Sequence, residues 1–359
     1  MRLRLGDSGF VDVEIIDYDT LFEHMRETLP DLILLMRQTE SSSVSFTSQM
    51  ASRYPMVPLI IVATERNGET LRDHLDAGAS DYIYYDGAER ELLGFVVRQN
   101  LEHRSHMKAI AAQQETADRY RQLEKDQRSG FRVQQSMLPK SPASIRGLTF
   151  DHQLYPSMIM SGDFIDYFEL LDGRVAFYIA DVSGHGASSA FITVLLKSMS
   201  RRLLEEQSQL RSTAEMLSWF NKELMQWALE HHITMFLGVI DQQSRSLEYS
   251  SAAHFPGTIL CHEGGAEFLE IGGQPLGLFT APNYMSYKVA LPEHYCIVMF
   301  SDGVFEILPE KSLKDKEARL LSLVSSNKDS GLEALIDELG VLTARVIPDD
   351  IAVFSVESA

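Results

Sequence analysis

The sequence predicts two domains, one α/β and one α+β, joined by a long helix. Short apolar runs alternate with amphipathic stretches over residues 1–98, and residues 99–138 have the composition of a continuous helix. Residues 139–359 contain seven strand-like runs and two helical stretches. The chain has 359 residues, which is enough for two domains and a connector at about 150 residues per domain.

The first region predicts parallel β-strands connected by helices. Its apolar runs predict strands at residues 11–16, 32–35, 58–63 and 82–85, and its amphipathic stretches predict helices at 20–28, 68–77 and from 89 onward. Strands separated by helical patterns at this spacing form parallel βαβ units. We therefore expect an α/β domain over residues 1–98.

Residues 99–138 predict a helical linker. Gln, Glu, Arg, Lys and Ala dominate this stretch, Pro is absent between residues 99 and 132, and the first glycine is Gly130. Apolar side chains recur at irregular helical spacings, at Met107, Ile110, Ala117, Tyr120 and Leu123. This stripe favours a helix that forms a homodimer through a coiled coil, and the alternative is an exposed spacer helix.

The last region, residues 139–359, predicts an α+β domain. Its strand-like runs lie at 148–152, 174–180, 235–240, 247–250, 258–261, 294–300 and 351–356. Its two helical stretches lie at 187–206 and 213–231.

Composition and charge exclude several classes of function. Lys and Arg number 32 against 51 Asp and Glu, so the formal net charge is −19. Such an excess repels nucleic acid and anionic membrane surfaces, so we expect neither as a partner. Two cysteines, Cys261 and Cys296, are too few for a disulfide framework or a thiolate metal site. Charges near Met1 argue against a signal peptide, and no apolar run approaches the ~18 residues of a spanning helix, so we expect a cytoplasmic protein.

Four acidic elements of the last region suit a site for a hard cation. Each borders an apolar run, and three have glycine within three residues of the carboxylate. They are Ser161-Gly162-Asp163, Asp181-Val182-Ser183-Gly184, Ser301-Asp302-Gly303 and Pro348-Asp349-Asp350. Carboxylates from different strands can surround one ion, and glycine lets backbone and water approach it. One Asp-Gly pair is more often a structural turn, but four such elements in one domain favour a metal site.

Three segments of the first region resemble a response-regulator receiver domain. They are PDLILL at 30–35, VPLIIVAT at 57–64 and GASDYI at 78–83. The phosphoacceptor aspartate of that family falls at Met36, its lysine falls at Tyr85, and its first strand with the paired acidic magnesium ligands is missing before Gly9. Methionine cannot accept a phosphoryl group. The resemblance therefore implies a degenerate, N-terminally truncated receiver-like domain over 1–98 that works by binding.

Seven ordered blocks within residues 130–357 resemble the SpoIIE/RsbU branch of the PPM protein phosphatases. They are VQQSMLP at 133–139, SGDFIDY at 161–167, DVSGHG at 181–186, SAAHFP at 251–256, QPLG at 274–277, SDGVFE at 301–306 and DDI at 349–351. The resemblance implies a PPM-type phosphatase domain over 139–359 with an αββα sandwich. It also implies two Mn²⁺ or Mg²⁺ ions at one end of the sandwich.

The resemblance assigns roles to individual residues of this sequence. Asp163 would ligate one ion or hold its water, Asp181 would bridge both ions, and Val182 would ligate through its backbone carbonyl. Asp302 and Asp349 would hold the second ion. The catalytic set is then Asp163, Asp181, Asp302 and Asp349, and the metal set adds Val182 and the neighbouring Asp350. Asp166 would be a supporting acid, and His185 would be either a proton donor or a turn histidine.

The resemblance also implies a function and leaves one alternative. A metal-dependent serine/threonine phosphatase of bacterial signalling would act on a phosphorylated regulatory protein, such as a STAS-type anti-sigma-factor antagonist. A non-catalytic adaptor that binds a sigma factor or another regulator is the alternative. An adaptor has no need of the four catalytic aspartates, and all four are present, which favours the enzyme. The domain order further predicts that a partner of the receiver-like domain controls activity through the helix.

Overall fold

The computed structural model describes two compact units, Met1–Arg121 and Gln122–Ala359. It describes residues 14, 16, 20–37, 42–64, 68–85, 90–184, 186–206, 212–227, 229–269, 272–344 and 347–358. The predicted strand at 11–16 lies outside the described residues apart from Glu14 and Ile16. Across the described ranges, no helix combines the length and apolar character needed to cross a membrane.

The first unit contains a three-stranded parallel sheet. Its strands are β1 (Ile33–Arg37), β2 (Leu59–Ala63) and β3 (Asp81–Tyr84), in the order β1-β2-β3. Its first helices are α1 (Leu21–Glu27), α2 (Ser42–Arg53) and α3 (Gly68–Asp76). Every residue of the central strand β2 is buried, as expected for a parallel sheet covered on both faces. The parallel pairing agrees with the predicted βαβ units, and the receiver-like identity stays a prediction.

One helix, α4 (Arg90–Met137), runs for 48 residues from the first unit into the second. In the first unit Leu93 and Val97 are buried, and Arg104 donates a hydrogen bond to the Pro30 carbonyl. Near the other end, Gln134 is buried in the second unit. The helix therefore begins before the predicted linker, because its first turns close the core of the first unit. The boundaries at 98 and 138 stay predictions.

The second unit contains two antiparallel sheets. The first sheet has the order β11-β10-β13-β14-β5-β4, and the second has the order β12-β9-β8-β7-β6. The strands are β4 (Ala143–Ile145), β5 (Leu148–Tyr155), β6 (Asp163–Glu169), β7 (Val175–Val182), β8 (Ile233–Asp241), β9 (Ser246–Ala252), β10 (Thr258–His262), β11 (Gly265–Leu269), β12 (Tyr287–Ala290), β13 (Tyr295–Phe300) and β14 (Ile351–Ser358).

Three apolar clusters show that these sheets and their helices form four layers. The helices are α5 (Ala187–Glu206), α6 (Thr213–Gln226), α7 (Val304–Ile307), α8 (Leu313–Asn327) and α9 (Gly331–Leu339). One cluster packs α5 and α6 on the second sheet, another packs α7 to α9 on the first, and the third fills the space between the sheets. The predicted αββα sandwich is confirmed.

Candidate metal centre

Strand pairing brings two of the predicted acids together. In the antiparallel pair β6–β7, Asp163 lies directly opposite Asp181. Residues opposite each other point to the same face of a sheet. The neighbouring Ile165 and Ile179 lie in the cluster between the sheets, so strand alternation places both carboxylates at one end of that inner layer.

The first sheet contributes the other acids at the same end of the inner layer. Here β13 ends at Phe300 and β14 begins at Ile351. Ser301 joins them: its amide donates to the Ala352 carbonyl, its hydroxyl donates to the Asp350 carbonyl at 3.1 Å, and the Ala352 amide donates to its hydroxyl at 2.8 Å. These bonds hold the turn that carries Asp302 beside the turn that carries Asp349.

The Asp350 side chain connects the two sheets. Its Oδ1 accepts hydrogen bonds from the Ser157 amide at 2.7 Å and the Ser157 hydroxyl at 2.8 Å. Its Oδ2 accepts from the Gly162 amide at 2.6 Å, immediately before β6. Asp350 therefore holds the segment that leads into Asp163. Its assignment as a metal ligand stays a prediction.

The Val182 carbonyl lies beside the start of β6. A Cβ atom added to Gly162 would be 2.8 Å from the Val182 oxygen, closer than real Cβ contacts allow. Glycine at this position lets the two segments approach each other. The carbonyl that the sequence predicts as a ligand thus lies next to the residue that precedes Asp163.

Burial and neighbouring charges raise the pKa values of three of these carboxylates, those of Asp163, Asp181 and Asp302. Burial, then the charge of Asp181, raises the pKa of Asp163 well above its usual range. Burial, then the charges of Asp302 and Asp349, raises the pKa of Asp181 to about 7. Burial and the neighbouring Asp349 also raise the pKa of Asp302. Asp163 thus lies within electrostatic reach of Asp181 and Asp302, and Asp181 lies within reach of Asp302 and Asp349, so the cluster is most stable with added positive charge.

The donor set fits a hard divalent cation. Asp163 is only 1% exposed, and among the described residues its Oδ2 atom has no hydrogen-bond partner. A buried carboxylate oxygen without a partner is costly unless a cation or a proton meets it. All the donors are oxygens, which Mg²⁺ and Mn²⁺ prefer. Within the described ranges no three His, Cys, Asp or Glu side chains are grouped tightly enough to hold one ion, so the ligand set itself stays a prediction.

A comparison against known protein families identifies a family over most of the second unit. The family described as Stage II sporulation protein E (SpoIIE) matches residues 171–358, slightly more than half of the chain. The chain belongs to the SpoIIE family. The matched range includes Asp181, Asp302 and Asp349, and it begins after Asp163.

This SpoIIE-family chain is similar to two named proteins. Protein IcfG of Synechocystis is 24% identical over 345 residues, covering 87% of this chain and 53% of IcfG. Phosphoserine phosphatase RsbP of Bacillus subtilis is 25% identical over 185 residues, covering 48% of this chain and 46% of RsbP. The chain thus spans about half the length of these relatives.

A solved structure shares the fold of the SpoIIE-family domain. The SiaA-PP2C domain of Pseudomonas aeruginosa aligns with a TM-score of 0.55 at 19% identity, covering 68% of this chain and 98% of that domain. At this identity the likeness shows the fold alone. The α+β architecture implied by the resemblance is therefore confirmed at the level of the PP2C fold.

Two further residues, Asp166 and His185, were expected near the metal ligands. Asp166 was expected to support the metal ligands, but strand alternation turns it to the helix face of β6, away from Asp163. There it pairs with Lys197 of α5, with Nζ 2.6 Å from Oδ1. The supporting role of Asp166 is therefore wrong. His185 lies outside the described residues.

Sequence reasoning missed several residues that shape the candidate site. Ser157 and Ser301 hold its backbone by hydrogen bonds, as described above. Gln134 of α4 donates from Nε2 to the Ser161 carbonyl at 2.6 Å and to the Thr193 hydroxyl at 2.9 Å. The signal for Gln134 and Ser301 was their position inside blocks of the family resemblance. Ser157 gave no comparable signal.

Replacing Gly303 by Ala is expected to lower the thermal stability of the second unit by about 2 kcal/mol, the middle of the range for overpacking. The added Cβ would lie 2.2 Å from the Asp350 carbonyl oxygen, which belongs to the backbone and cannot move aside alone. Thermal unfolding followed by tryptophan fluorescence measures the change. Gly272→Ala is the matched control, because a Cβ there meets nothing within 4 Å. Equal melting temperatures for the two variants would contradict the prediction.

Proposed function

We propose that this protein is a divalent-cation-dependent phosphatase that hydrolyses phosphoserine or phosphothreonine in a regulatory protein. One observation carries the proposal. Four aspartates far apart in the sequence, Asp163, Asp181, Asp302 and Asp349, are electrostatic neighbours at one end of the inner layer: Asp163 lies within reach of Asp181 and Asp302, and Asp181 lies within reach of Asp302 and Asp349. Repulsion between these carboxylates destabilises the fold, and a protein that only binds partners has no need of such a cluster.

The residues that would hold the cations are those of the acidic end. They are the carboxylates of Asp163, Asp181, Asp302 and Asp349 and the backbone carbonyl of Val182. Two bound Mn²⁺ or Mg²⁺ ions supply a water of lowered pKa and neutralise charge on the phosphoryl oxygens. Exposure rises from the buried Asp163 to the exposed Asp302 and Asp349, so the cluster opens toward solvent on one side. A phosphorylated side chain can approach from that side.

Two serine hydroxyls beside the predicted ligands, those of Ser183 and Ser301, are engaged by the backbone. Ser301 Oγ donates to the Asp350 carbonyl and accepts from the Ala352 amide. Ser183 Oγ accepts from the His232 amide at 3.0 Å. A hydroxyl held in this way is poorly placed to attack phosphorus. These contacts support direct attack by water, without a phosphoserine intermediate on the enzyme.

The substrate and the setting are further parts of the proposal. A relative named phosphoserine phosphatase supports a phosphoserine substrate. A STAS-type anti-sigma-factor antagonist fits the family resemblance, and a cytoplasmic location fits a phosphorylated regulator. The acidic net charge of −19 supports a protein partner rather than nucleic acid or membrane.

The first unit and helix α4 are proposed to carry the signal. The strand order β1-β2-β3 supports a receiver-like unit, and Met36 at the phosphoacceptor position supports control by partner binding. Exposed apolar side chains on α4, including Ile110, Tyr120 and Leu123, support a homodimer through this helix. Gln134 bonds to the segment before Asp163, which supports transmission from the helix to the site.

The proposal is tested by phosphate release from a phosphoserine protein, with the full chain and a titration of MnCl₂. We expect hydrolysis that depends on Mn²⁺ and stops when EDTA removes it. A generic aryl phosphate serves as a second substrate, which separates loss of catalysis from failure to recognise the protein. No hydrolysis of either substrate at saturating Mn²⁺ would leave the non-catalytic adaptor as the better account.

A further inference from the structure

The loop Asp181–Gly184 is held from one side by the segment that precedes β8. The Ser183 amide donates to the His232 carbonyl at 2.9 Å, and the His232 amide donates to the Ser183 hydroxyl at 3.0 Å. Nδ1 of His231 lies 2.6 Å from the Ser183 carbonyl oxygen. Because a carbonyl oxygen only accepts, Nδ1 of His231 carries the hydrogen of this bond. Both backbone groups of Ser183 are thus fixed by residues 231 and 232.

These bonds also fix the direction of the Val182 carbonyl. In a trans peptide the C=O and N–H groups point to opposite sides. The amide of Ser183 points at His232, so the carbonyl of Val182 points the other way, toward Gly162. This agrees with the 2.8 Å approach of the Val182 oxygen to a Cβ built at Gly162.

The imidazole of His231 also packs against the loop. Gly184 has a φ of +87°, and a Cβ added there would lie 3.4 Å from Cε1 of His231. The ring therefore forms a hydrogen bond with Ser183 and lies close to Gly184, the two residues that follow Val182. Its orientation restrains both.

The QPLG block, residues 274–277, packs against the segment that contains His231. Leu276 and Ile233 exchange backbone hydrogen bonds of 3.0 and 2.8 Å. Gly277 has a φ of +80°, and a Cβ there would lie 3.4 Å from the His231 carbonyl oxygen. Asn221 of α6 is buried, and its Oδ1 accepts from the Gly277 amide at 2.9 Å. The block thereby connects His231 to the helix layer, and the proposed reaction gives the block no other role.

We infer that His231 is a positioning residue, which acts through the Ser183 carbonyl to hold the Asp181–Gly184 loop in the shape that binds the divalent cation. The inference rests on the proposed function, because it concerns the cation site of that function. His231 itself contributes no ligand. Residues that orient metal ligands in this way typically change metal affinity by about 10–100-fold when they are replaced.

The test is Mn²⁺ binding to the full chain, measured by isothermal titration calorimetry, with four variants of the two adjacent histidines. Asn places an N–H donor near the position of histidine Nδ1, and Gln places one near Nε2. We therefore expect His231→Ala and His231→Gln to weaken Mn²⁺ binding about 10-fold or more, and His231→Asn to stay close to wild type. His232→Ala is the matched control, because the described contacts of His232 use only its backbone. It should bind Mn²⁺ as wild type does.

The outcomes separate this inference from the proposed function. Asp181→Asn is included as a variant that removes a predicted ligand. If wild type binds Mn²⁺ and Asp181→Asn does not, while His231→Ala binds normally, the inference is overturned and the proposed function stands. Equal losses in the Ala and Asn variants of His231 would also overturn it, because the hydrogen bond would then not matter. Absence of Mn²⁺ binding by wild type would remove both.

Discussion

Replacing Asp181 by Asn is expected to lower Mn²⁺-dependent phosphoserine hydrolysis by about 10²–10⁴-fold, or about 3–5 kcal/mol of transition-state stabilisation. The change keeps the shape of the side chain and removes its negative charge. Asp181 lies opposite Asp163 and feels the charges of Asp302 and Asp349, so it occupies the centre of the acidic cluster. Initial rates of phosphate release at saturating Mn²⁺ measure the effect.

The same substitution should not destabilise the fold. Burial and neighbouring charges raise the pKa of Asp181 to about 7, which means that its ionised form is disfavoured in the folded protein. Neutral Asn relieves this repulsion, so we expect an equal or higher melting temperature in EDTA. Asp172→Asn is the control, because Asp172 forms a surface ion pair with Arg174 at 2.8 Å, and such pairs contribute little. Asp181→Asn with more than about a third of wild-type activity would contradict the assignment.

Replacing Lys197 by Met is expected to destabilise the second unit by about 3 kcal/mol. Asp166 is 1% exposed, and Lys197 Nζ lies 2.6 Å from its Oδ1. Burial raises the pKa of Asp166, and the charge of Lys197 opposes that rise. Without the lysine, Asp166 is left either charged and unpaired or protonated in an apolar layer.

Urea unfolding followed by tryptophan fluorescence measures this loss. The chain has two tryptophans, Trp219 and Trp227, and both lie in the second unit. The double variant Asp166→Leu with Lys197→Met is the matched control, because it removes both charges and leaves apolar groups in their place. We expect it to recover most of the lost stability. A change below about 0.5 kcal/mol for Lys197→Met alone would show that the pair does not hold α5 on the sheet.

The sequence predicted well where local pattern and tertiary packing agree. Helix α5 has the predicted bounds, 187–206, because its buried side chains, including Leu196, Met199 and Leu203, recur at helical spacing. Strand β13 ends at Phe300 as predicted, because its residues 296–300 are buried on both faces. In these elements one face or the whole segment is apolar, and that pattern is visible without the fold.

The predicted helices and strands were wrong or missing where polar residues are buried, or where contacts distant in the sequence end a helix. Strand β6 was not predicted, because Asp163 and Asp166 interrupt its apolar pattern and find their neighbours on other elements. The helix predicted to end at 231 ends at Gln226, and the segment before β8 instead bonds to the loop at Ser183. Helices α2, α8 and α9 were also missed. For α8 the signal was present, because Ser312 caps its start by accepting from the Asp315 amide.

The sequence by itself determined the type of chemistry, because ordered acidic motifs specify hard oxygen donors wherever they lie. Only the tertiary structure decided which acids lie near one another. Strand register placed Asp163 opposite Asp181, and the same register turned Asp166 to the other face of the sheet. The physical reason is the two-residue period of a strand, by which a shift of one position exchanges the buried inner layer for the helix face. Contacts such as His231 with Ser183 join residues 48 positions apart, and no local pattern specifies them.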